Sequence, residues 1–405
     1  MSRYRLDPTP EQEYVLLSHC AHARFVWNLA LEQHAFWSRH RGGAPGYHEQ
    51  FRQLTEARAE FGWLRAGPQT VQQQALRDFA QAMANFFAGT HRRPTWRKQG
   101  VHEGFRQIGV KPHQVRRLSR KWGAVLVPKC GWVWFRLSRP VPAGVKSYRV
   151  TRDRAGRWHV AFAHVPPPVP GPGDGSVVGV DRGVTVSAAL STGDLLHVPG
   201  LTPGEQRRLE RLARRLGRAR RGSRRRAALK AALARLNTRE SDRRKNWVEQ
   251  TSTALARRFE VIGVEDLNVS GMTRSARGTL QRPGRNVAAK AGLNRGILAN
   301  GWAKLVERLE DKAPGRVYKI NPAFTSQRCS ACRTIDPQAR ESQARFRCRS
   351  CGFACNADVN AARNIAYEAS LVCTLVGTAA GPAVAARGRS GVPGRMNREP
   401  QPVLS

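Results

Sequence analysis

Acidic side chains are scarce in this chain: 29 Asp and Glu stand against 69 Lys and Arg in 405 residues, giving a formal net charge of +40. Self-repulsion on that scale destabilises a compact state unless a polyanion compensates it, so a long nucleic acid is the natural partner. Long apolar runs are missing as well. No stretch reaches the roughly eighteen residues that a spanning helix needs, and Met1 to Leu6 contains no apolar signal core, so neither membrane insertion nor secretion is expected. Nor is there a disulfide framework. Of eight cysteines, four sit in paired Cys-x-x-Cys knuckles while Cys20, Cys130, Cys355 and Cys373 are scattered, a usage that suits metal binding in a reducing, cytoplasmic compartment. The eleven histidines are dispersed, and no Ser-His-Asp or Cys-His arrangement stands out.

What the chain does have is an ordered set of acids and cysteines in its C-terminal half. Asp181 ends the apolar run Val178-Gly179-Val180, Glu265 ends Val261-Ile262-Gly263-Val264, and Asp358 follows the cysteines in Asn356-Ala357-Asp358-Val359-Asn360-Ala361-Ala362. An acid at one strand end is usually a solvated terminus. Three in this order, around a metal-binding module and inside a very basic protein, point to a split nuclease site.

Coarse patterning gives an α/β, multidomain fold. Thr9-Pro10-Glu11-Gln12 offers an N-cap Thr, a Pro at the first helical position and a Gln able to close a capping box. Leu16, Cys20, Ala23, Trp27 and Leu31 then recur every three or four residues, and Leu76, Phe79, Met83 and Phe86 repeat the pattern over residues 69–87. These define a helical bundle over residues 11–100 with a turn at Gly42-Gly43, its aromatic stripe read as core. Short β-rich runs at 124–127, 132–137, 145–150 and 158–165, with a first strand at 4–6, predict a small β-barrel over 1–10 and 101–168 into which the bundle is inserted. The Pro- and Gly-rich segment 166–175 is a linker.

Beyond the linker, strands at 176–181, 184–190 and 195–198 precede a long helical hairpin over 205–259, broken near Gly222-Ser223. A strand at 261–265, a helix at 293–312 and a strand at 316–321 follow, and Asp358 is placed to start a helix over 359–369. This β-β-β-α-β-α order resembles a ribonuclease H core with insertions. The stretch from Leu371 to Ser405, rich in Gly, Ala, Pro and Arg, reads as a disordered tail.

Hydrolysis of a phosphodiester without a covalent intermediate needs an activated water and a stabilised leaving oxygen, which two Mg²⁺ ions about 4 Å apart can supply together. Hard cations take oxygen ligands, so Asp181, Glu265 and Asp358 are the candidate catalytic and magnesium-binding residues. Asp266 would point the opposite way and is secondary. Cys329, Cys332, Cys348 and Cys351, with fifteen residues between the knuckles, have the spacing of a site for one structural Zn²⁺. Gly352 after the last cysteine suits a left-handed turn, whereas Arg333 occupies the corresponding place in the first knuckle. Between Glu205 and Lys245 lie seventeen Arg or Lys against four Glu or Asp, with a dense block that includes Arg224, Arg225 and Arg226, the candidates for phosphate contact.

At this point the chain resembles TnpB, the transposon-encoded RNA-guided endonuclease family, and its relatives the miniature type V CRISPR effectors. The resemblance runs through Tyr4-Arg5-Leu6, Arg24-Phe25-Val26-Trp27-Asn28, Asn85-Phe86-Phe87, Gly179-Val180-Asp181-Arg182-Gly183, Val264-Glu265-Asp266-Leu267, Thr325-Ser326-Gln327-Arg328-Cys329 and Asp358-Val359-Asn360-Ala361-Ala362-Arg363-Asn364-Ile365. It implies that the barrel is a wedge domain which, with the helical module, binds guide RNA and a short target-adjacent motif. It implies further that residues 169–320 and 356–370 form a RuvC-like domain cutting both strands of double-stranded DNA. The zinc ribbon, residues 321–355, is then an insertion that binds target nucleic acid. Gln72, Gln73 and Gln74 become candidates for reading the motif, since Gln can pair with adenine through two hydrogen bonds. A prokaryotic, cytoplasmic protein, one per guide RNA, is implied. Two departures stand out: Asn356-Ala357-Asp358 replaces the Asp-Arg-Asp of many relatives, and Arg333 replaces a knuckle glycine.

Competing readings are an RNA-guided repressor that does not cut, a DNA transposase or its accessory, and a zinc-ribbon nucleic-acid-binding protein without activity.

Overall fold

Reciprocal capping opens the first helix. Thr9 Oγ1 accepts from the Gln12 backbone N–H at 3.3 Å while Gln12 Oε1 accepts from the Thr9 N–H at 3.1 Å, so strand β1 (Ser2–Asp7) ends and helix α1 (Pro10–Ala35) begins within two residues. The computed structural model describes residues 2–35 and 43–379, so Gly42 of the expected turn lies outside the described residues. Within them two compact units form, residues 2–167 with 201–242 and residues 168–200 with 243–379.

In the first unit α1 is followed by α2 (Tyr47–Glu60), α3 (Gly62–Ala66) and α4 (Gln69–Phe87). Then come strands β2 (Gly104–Ile108), β3 (Val115–Arg117), β4 (Trp122–Val127), β5 (Gly131–Arg136), β6 (Ser147–Arg152) and β7 (Trp158–Phe162). The sheet order is β2-β6-β7-β1-β5-β4-β3, antiparallel throughout. The expected barrel is therefore not closed. Strands β2 and β3 stand at opposite ends of the order without pairing, and β3 is a short edge of three residues that exposes the charged Arg116 and Arg117, features that discourage further strand pairing. Tyr4, Phe135, Phe162 and Tyr148 form a buried aromatic cluster on this sheet, and the helical stripe predicted to be core is core, with Trp27 edge-on to Phe79 at 5.4 Å.

The second unit begins with β8 (Val177–Asp181), β9 (Ala188–Leu190) and β10 (Leu195–Leu196). Helices α5 (Pro203–Arg218) and α6 (Arg224–Arg258) follow in sequence, and residues 201–242 group with the first unit rather than with the nuclease domain in which they were expected. After α6 come β11 (Val261–Glu265), α7 (Val269–Met272), α8 (Val287–Asn300), α9 (Trp302–Lys312) and β12 (Val317–Ile320). The helix predicted over 293–312 is two helices, because Gly301 takes φ +66° and ends α8. The sheet order is β10-β9-β8-β11-β12, with β8, β11 and β12 parallel. Strand β11 is buried along its whole length, as a parallel strand covered on both faces should be.

The hairpin β13 (Arg345–Arg347) and β14 (Ala354–Asn356) carries the second knuckle, and α10 (Ala357–Ala379) completes the unit. Helix α10 runs past Leu371, where a disordered tail was expected to start; the rest of that tail lies outside the described residues. Among the described residues no helix is long and apolar enough to cross a membrane.

Candidate active site

Strands β8 and β11 are parallel neighbours with Val180 opposite Val264, so the next residues, Asp181 and Glu265, leave the sheet side by side. Neighbouring strands lie about 4.8 Å apart, close enough for the two carboxylates to share a cation. The third acid arrives by helix packing. A Cβ on Gly179 would fall onto the carbonyl oxygen of Ala362, and one on Gly263 would lie 2.7 Å from Ala369 Cβ. Two glycines in adjacent strands thus let the backbone of α10 rest directly on the sheet. Asp358 is one helical turn before Ala362, about 6 Å along the axis, and Asp181 is two residues beyond Gly179, about 6.6 Å along the strand. The start of α10 is brought to the strand ends, with Asn356 Oδ1 capping it by accepting from the Asp358 N–H at 2.9 Å.

Electrostatics registers this convergence. Burial, reinforced by the negative charges of Glu265 and Asp358, pushes the Asp181 carboxyl up to about 7. Burial also raises Glu265, against the opposing pull of the Thr325 hydroxyl and the Arg182 guanidinium. Such clustered, buried oxygens are a donor set for a hard cation. Arg182 is buried and donates through Nη2 to the Glu265 backbone carbonyl, tying the ends of β8 and β11 together. Arg340 Nη2 donates to Asp358 Oδ1 at 3.0 Å. Asp266 is exposed, whereas Glu265 is buried.

The four knuckle cysteines offer sulfurs that all lie within 4.8 Å of one another, with Cys329 and Cys351 Sγ at 3.7 Å and Cys332 and Cys348 Sγ at 3.5 Å. A tetrahedron with Zn–S bonds of about 2.3 Å has edges of about 3.8 Å, so the cluster fits one zinc ion. Both knuckles turn the same way: Gly352 has φ +73° and Arg333 φ +66°. Arg333 takes the left-handed backbone without being glycine. Its guanidinium stacks 3.7 Å from the Tyr367 ring centroid and donates to Asn364 Oδ1 at 3.0 Å. Cys355 stands outside the cluster, with its Sγ 3.4 Å from the Asn356 carbonyl oxygen.

Two buried asparagines of α10, one turn apart, hold the first knuckle. Asn360 donates to the Arg328 carbonyl at 2.7 Å and accepts from the Ser330 N–H at 2.9 Å. Asn364 donates to the carbonyls of Thr325 at 2.9 Å and Arg328 at 2.7 Å. Neither asparagine was singled out from the sequence, although a pair of amides at i and i+4 among alanines is a signal that something polar docks there. Thr325 and Arg340 carried no signal of that kind, since their partners are distant in the chain.

Several nucleic-acid candidates are corrected by their surroundings. Gln72 is fully buried and donates to the Leu64 carbonyl at 2.8 Å while accepting from Arg58, which ties it into the bundle, and Gln74 is buried too, so neither faces solvent where a base could reach it. Only Gln73 is half-exposed. Arg226 donates to the carbonyls of Leu216 at 2.7 Å and Ala219 at 2.9 Å, closing the C-terminus of α5, whereas Arg224 and Arg225 are exposed.

Three family models match the chain: one described as a helix-turn-helix domain at residues 2–42, one as a probable transposase at 159–276, and one as a Cas12f1-like TNB domain at 302–365. A putative RNA-guided DNA endonuclease InsQ of Escherichia coli (strain K12) is 34% identical over 386 residues, covering 92% of this chain and 93% of that one. A putative RNA-guided DNA endonuclease of Streptomyces pristinaespiralis is 30% identical, covering 98% and 96%. Among solved structures, a Cas12f1–sgRNA–target DNA complex superposes with a TM-score of 0.55 at 13% identity, covering 88% of this chain and 82% of that one, a likeness of fold.

Proposed function

Because this chain belongs to the TnpB family of transposon-encoded RNA-guided DNA endonucleases, we propose that it binds a guide RNA, recognises a short target-adjacent motif and cleaves complementary double-stranded DNA. The observation that carries the cutting step is the meeting of Asp181 and Glu265, at the ends of the parallel strands β8 and β11, with Asp358 at the start of α10, where burial and mutual repulsion hold Asp181 up near 7. The sheet order, with β8 between antiparallel β9 and parallel β11, supports a ribonuclease H-like, RuvC-type domain.

In this reading the three carboxylates hold two Mg²⁺ ions, which when bound supply an activated water and stabilise the leaving oxygen. Arg340 balances charge at Asp358, Arg182 fixes the two strand ends, and Thr325 restrains Glu265. The cysteine cluster holds one structural Zn²⁺. Exposed basic side chains such as Arg224 and Arg225 take backbone phosphates without reading sequence, and base pairing with the guide selects the target. Gln73 is the remaining candidate of its trio for the motif.

The test begins with RNA that co-purifies with the protein. Sequenced, it defines a guide and a matched duplex; cleavage and gel-shift assays with Mg²⁺ then compare wild type with Asp181→Ala. The variant should bind the guided target and fail to cut either strand. Robust cleavage by the variant, or a wild type that binds but never cuts, would overturn the reading.

A further inference from the structure

Thr325 sits between the first cysteine knuckle and Glu265, buried at 6% exposure. Its hydroxyl has one proton and two acceptors, Glu265 Oε1 at 2.9 Å and the Pro322 carbonyl at 3.0 Å. A charged acceptor makes the stronger bond, so the proton goes to the carboxylate. Its backbone carbonyl is gripped by Asn364, itself 1% exposed. That amide has no freedom left. Both Nδ2 protons face carbonyls, those of Thr325 and Arg328, and Oδ1 faces the Arg333 guanidinium; a flipped amide would set oxygen against two carbonyl oxygens. Arg333 directly follows Cys332 and is pinned on Tyr367.

We infer that Thr325 is a positioning residue for Glu265 and that the first knuckle, through Arg333 and Asn364, sets where Thr325 stands. Groups that orient a metal-holding carboxylate govern how well it binds the ion, and losing one commonly costs 10- to 100-fold in affinity. The inference rests on the proposed role of Glu265, so its test is built to fail separately from that proposal. Arg333 also gains a reason to occupy a left-handed position that costs a non-glycine residue about 1–2 kcal/mol.

The experiment titrates Mn²⁺ into the guide-loaded protein by calorimetry, records the Mg²⁺ dependence of cleavage, and follows guided DNA binding and thermal midpoints. Thr325→Val keeps the shape and removes the donor; it should weaken Mn²⁺ binding and raise the Mg²⁺ requirement about 10-fold while target binding holds, and Thr325→Ser should restore both to within about two-fold. If the valine variant does not fold, Thr325→Ala must give the same shift. Arg333→Gly should stabilise the knuckle backbone yet weaken Mn²⁺ binding, a combination that a purely structural arginine would not produce. Wild-type Mn²⁺ affinity in Thr325→Val, or in Arg333→Gly, overturns the corresponding part of the inference. Asp181→Ala serves as the reference: if it binds Mn²⁺ like wild type, the acids are not the metal site and the proposed function falls; if it loses Mn²⁺ while Thr325→Val keeps it, only the positioning role falls.

Discussion

Gly179 of β8 lies directly beneath the carbonyl oxygen of Ala362 in α10, with no room for a Cβ between them. Gly179→Ala should therefore lift the helix that carries Asp358, at a cost of about 1–3 kcal/mol. A displacement of about 1 Å is enough to slow cleavage roughly 100-fold. Guided DNA binding should persist, and thermal unfolding beside a cleavage time course checks both halves. Equal activity in the alanine variant would mean that the acids tolerate a loose helix.

The pH response of the Mg²⁺-free protein follows from the raised Asp181 carboxyl. Its folded value of about 7 exceeds the ordinary 3.8, so folding favours the protonated form. That contribution is complete below about pH 4 and is lost as the pH rises through 7. Asp181→Asn should therefore be indistinguishable from wild type below about pH 4 and increasingly more stable as the pH rises, with the full difference reached near pH 8 and the midpoint moving about 2–4 °C per kcal/mol relieved. Melting curves across this range without Mg²⁺ decide the matter; a constant difference at all pH values would count against it.

Elemental analysis should find one zinc per chain. Cys329→Ser should lose the metal and destabilise the module by several kcal/mol, since structural zinc binds with about 10–16 kcal/mol of apparent free energy. Cys355→Ser is the control and should keep its zinc, because Cys355 lies outside the cluster.

Arg224 and Arg225 should behave differently from Arg226. Replacing the first two with Ala should reduce the slope of log affinity against log salt by about 0.7–0.9 for each phosphate no longer neutralised, with little change in stability. Arg226→Ala should leave the salt slope nearly unchanged and lower stability by roughly 1–3 kcal/mol, because two helix-end carbonyls lose a charged donor. Filter binding at several salt concentrations, paired with melting curves, separates the cases.

Gln72→Ala should cost about 1–3 kcal/mol, since Arg58 and the Leu64 carbonyl lose a buried partner. Gln73→Ala should be neutral in stability and should alter motif preference if Gln73 reads a base. A randomised-motif cleavage library measures the second effect.

The acids at the strand ends were legible because local pattern places them: an apolar run of strand length terminated by Asp181 or Glu265 leaves few alternatives. The cysteine cluster was legible by spacing for the same reason. Gln72, Gln74 and Arg226 were misread because a polar side chain on a helix looks the same in sequence whether it meets water or a buried carbonyl. The open seven-stranded sheet was not visible because closure depends on pairing between β2 and β3 at opposite ends of the strand order. Thr325 and Arg340 were missed because each acts on a group distant in the chain, which periodicity cannot reveal, whereas the i, i+4 spacing of Asn360 and Asn364 signals that something polar docks on α10 without saying what.

The order in which the site is made has a consequence during protein synthesis. Strands β8 and β11 appear early, but the helix that covers Gly179 and Gly263 and carries Asp358 is the last described element of the chain. Domains tend to fold from the N-terminus as the chain emerges, so the basic first unit can fold before the third carboxylate exists. A chain interrupted on the ribosome before Ala357 has Asp181 and Glu265 but no Asp358, and so lacks part of the proposed cutting centre. Because Asp358 lies on α10, which follows every other described element, the proposed cutting centre can assemble only after α10 has been synthesised.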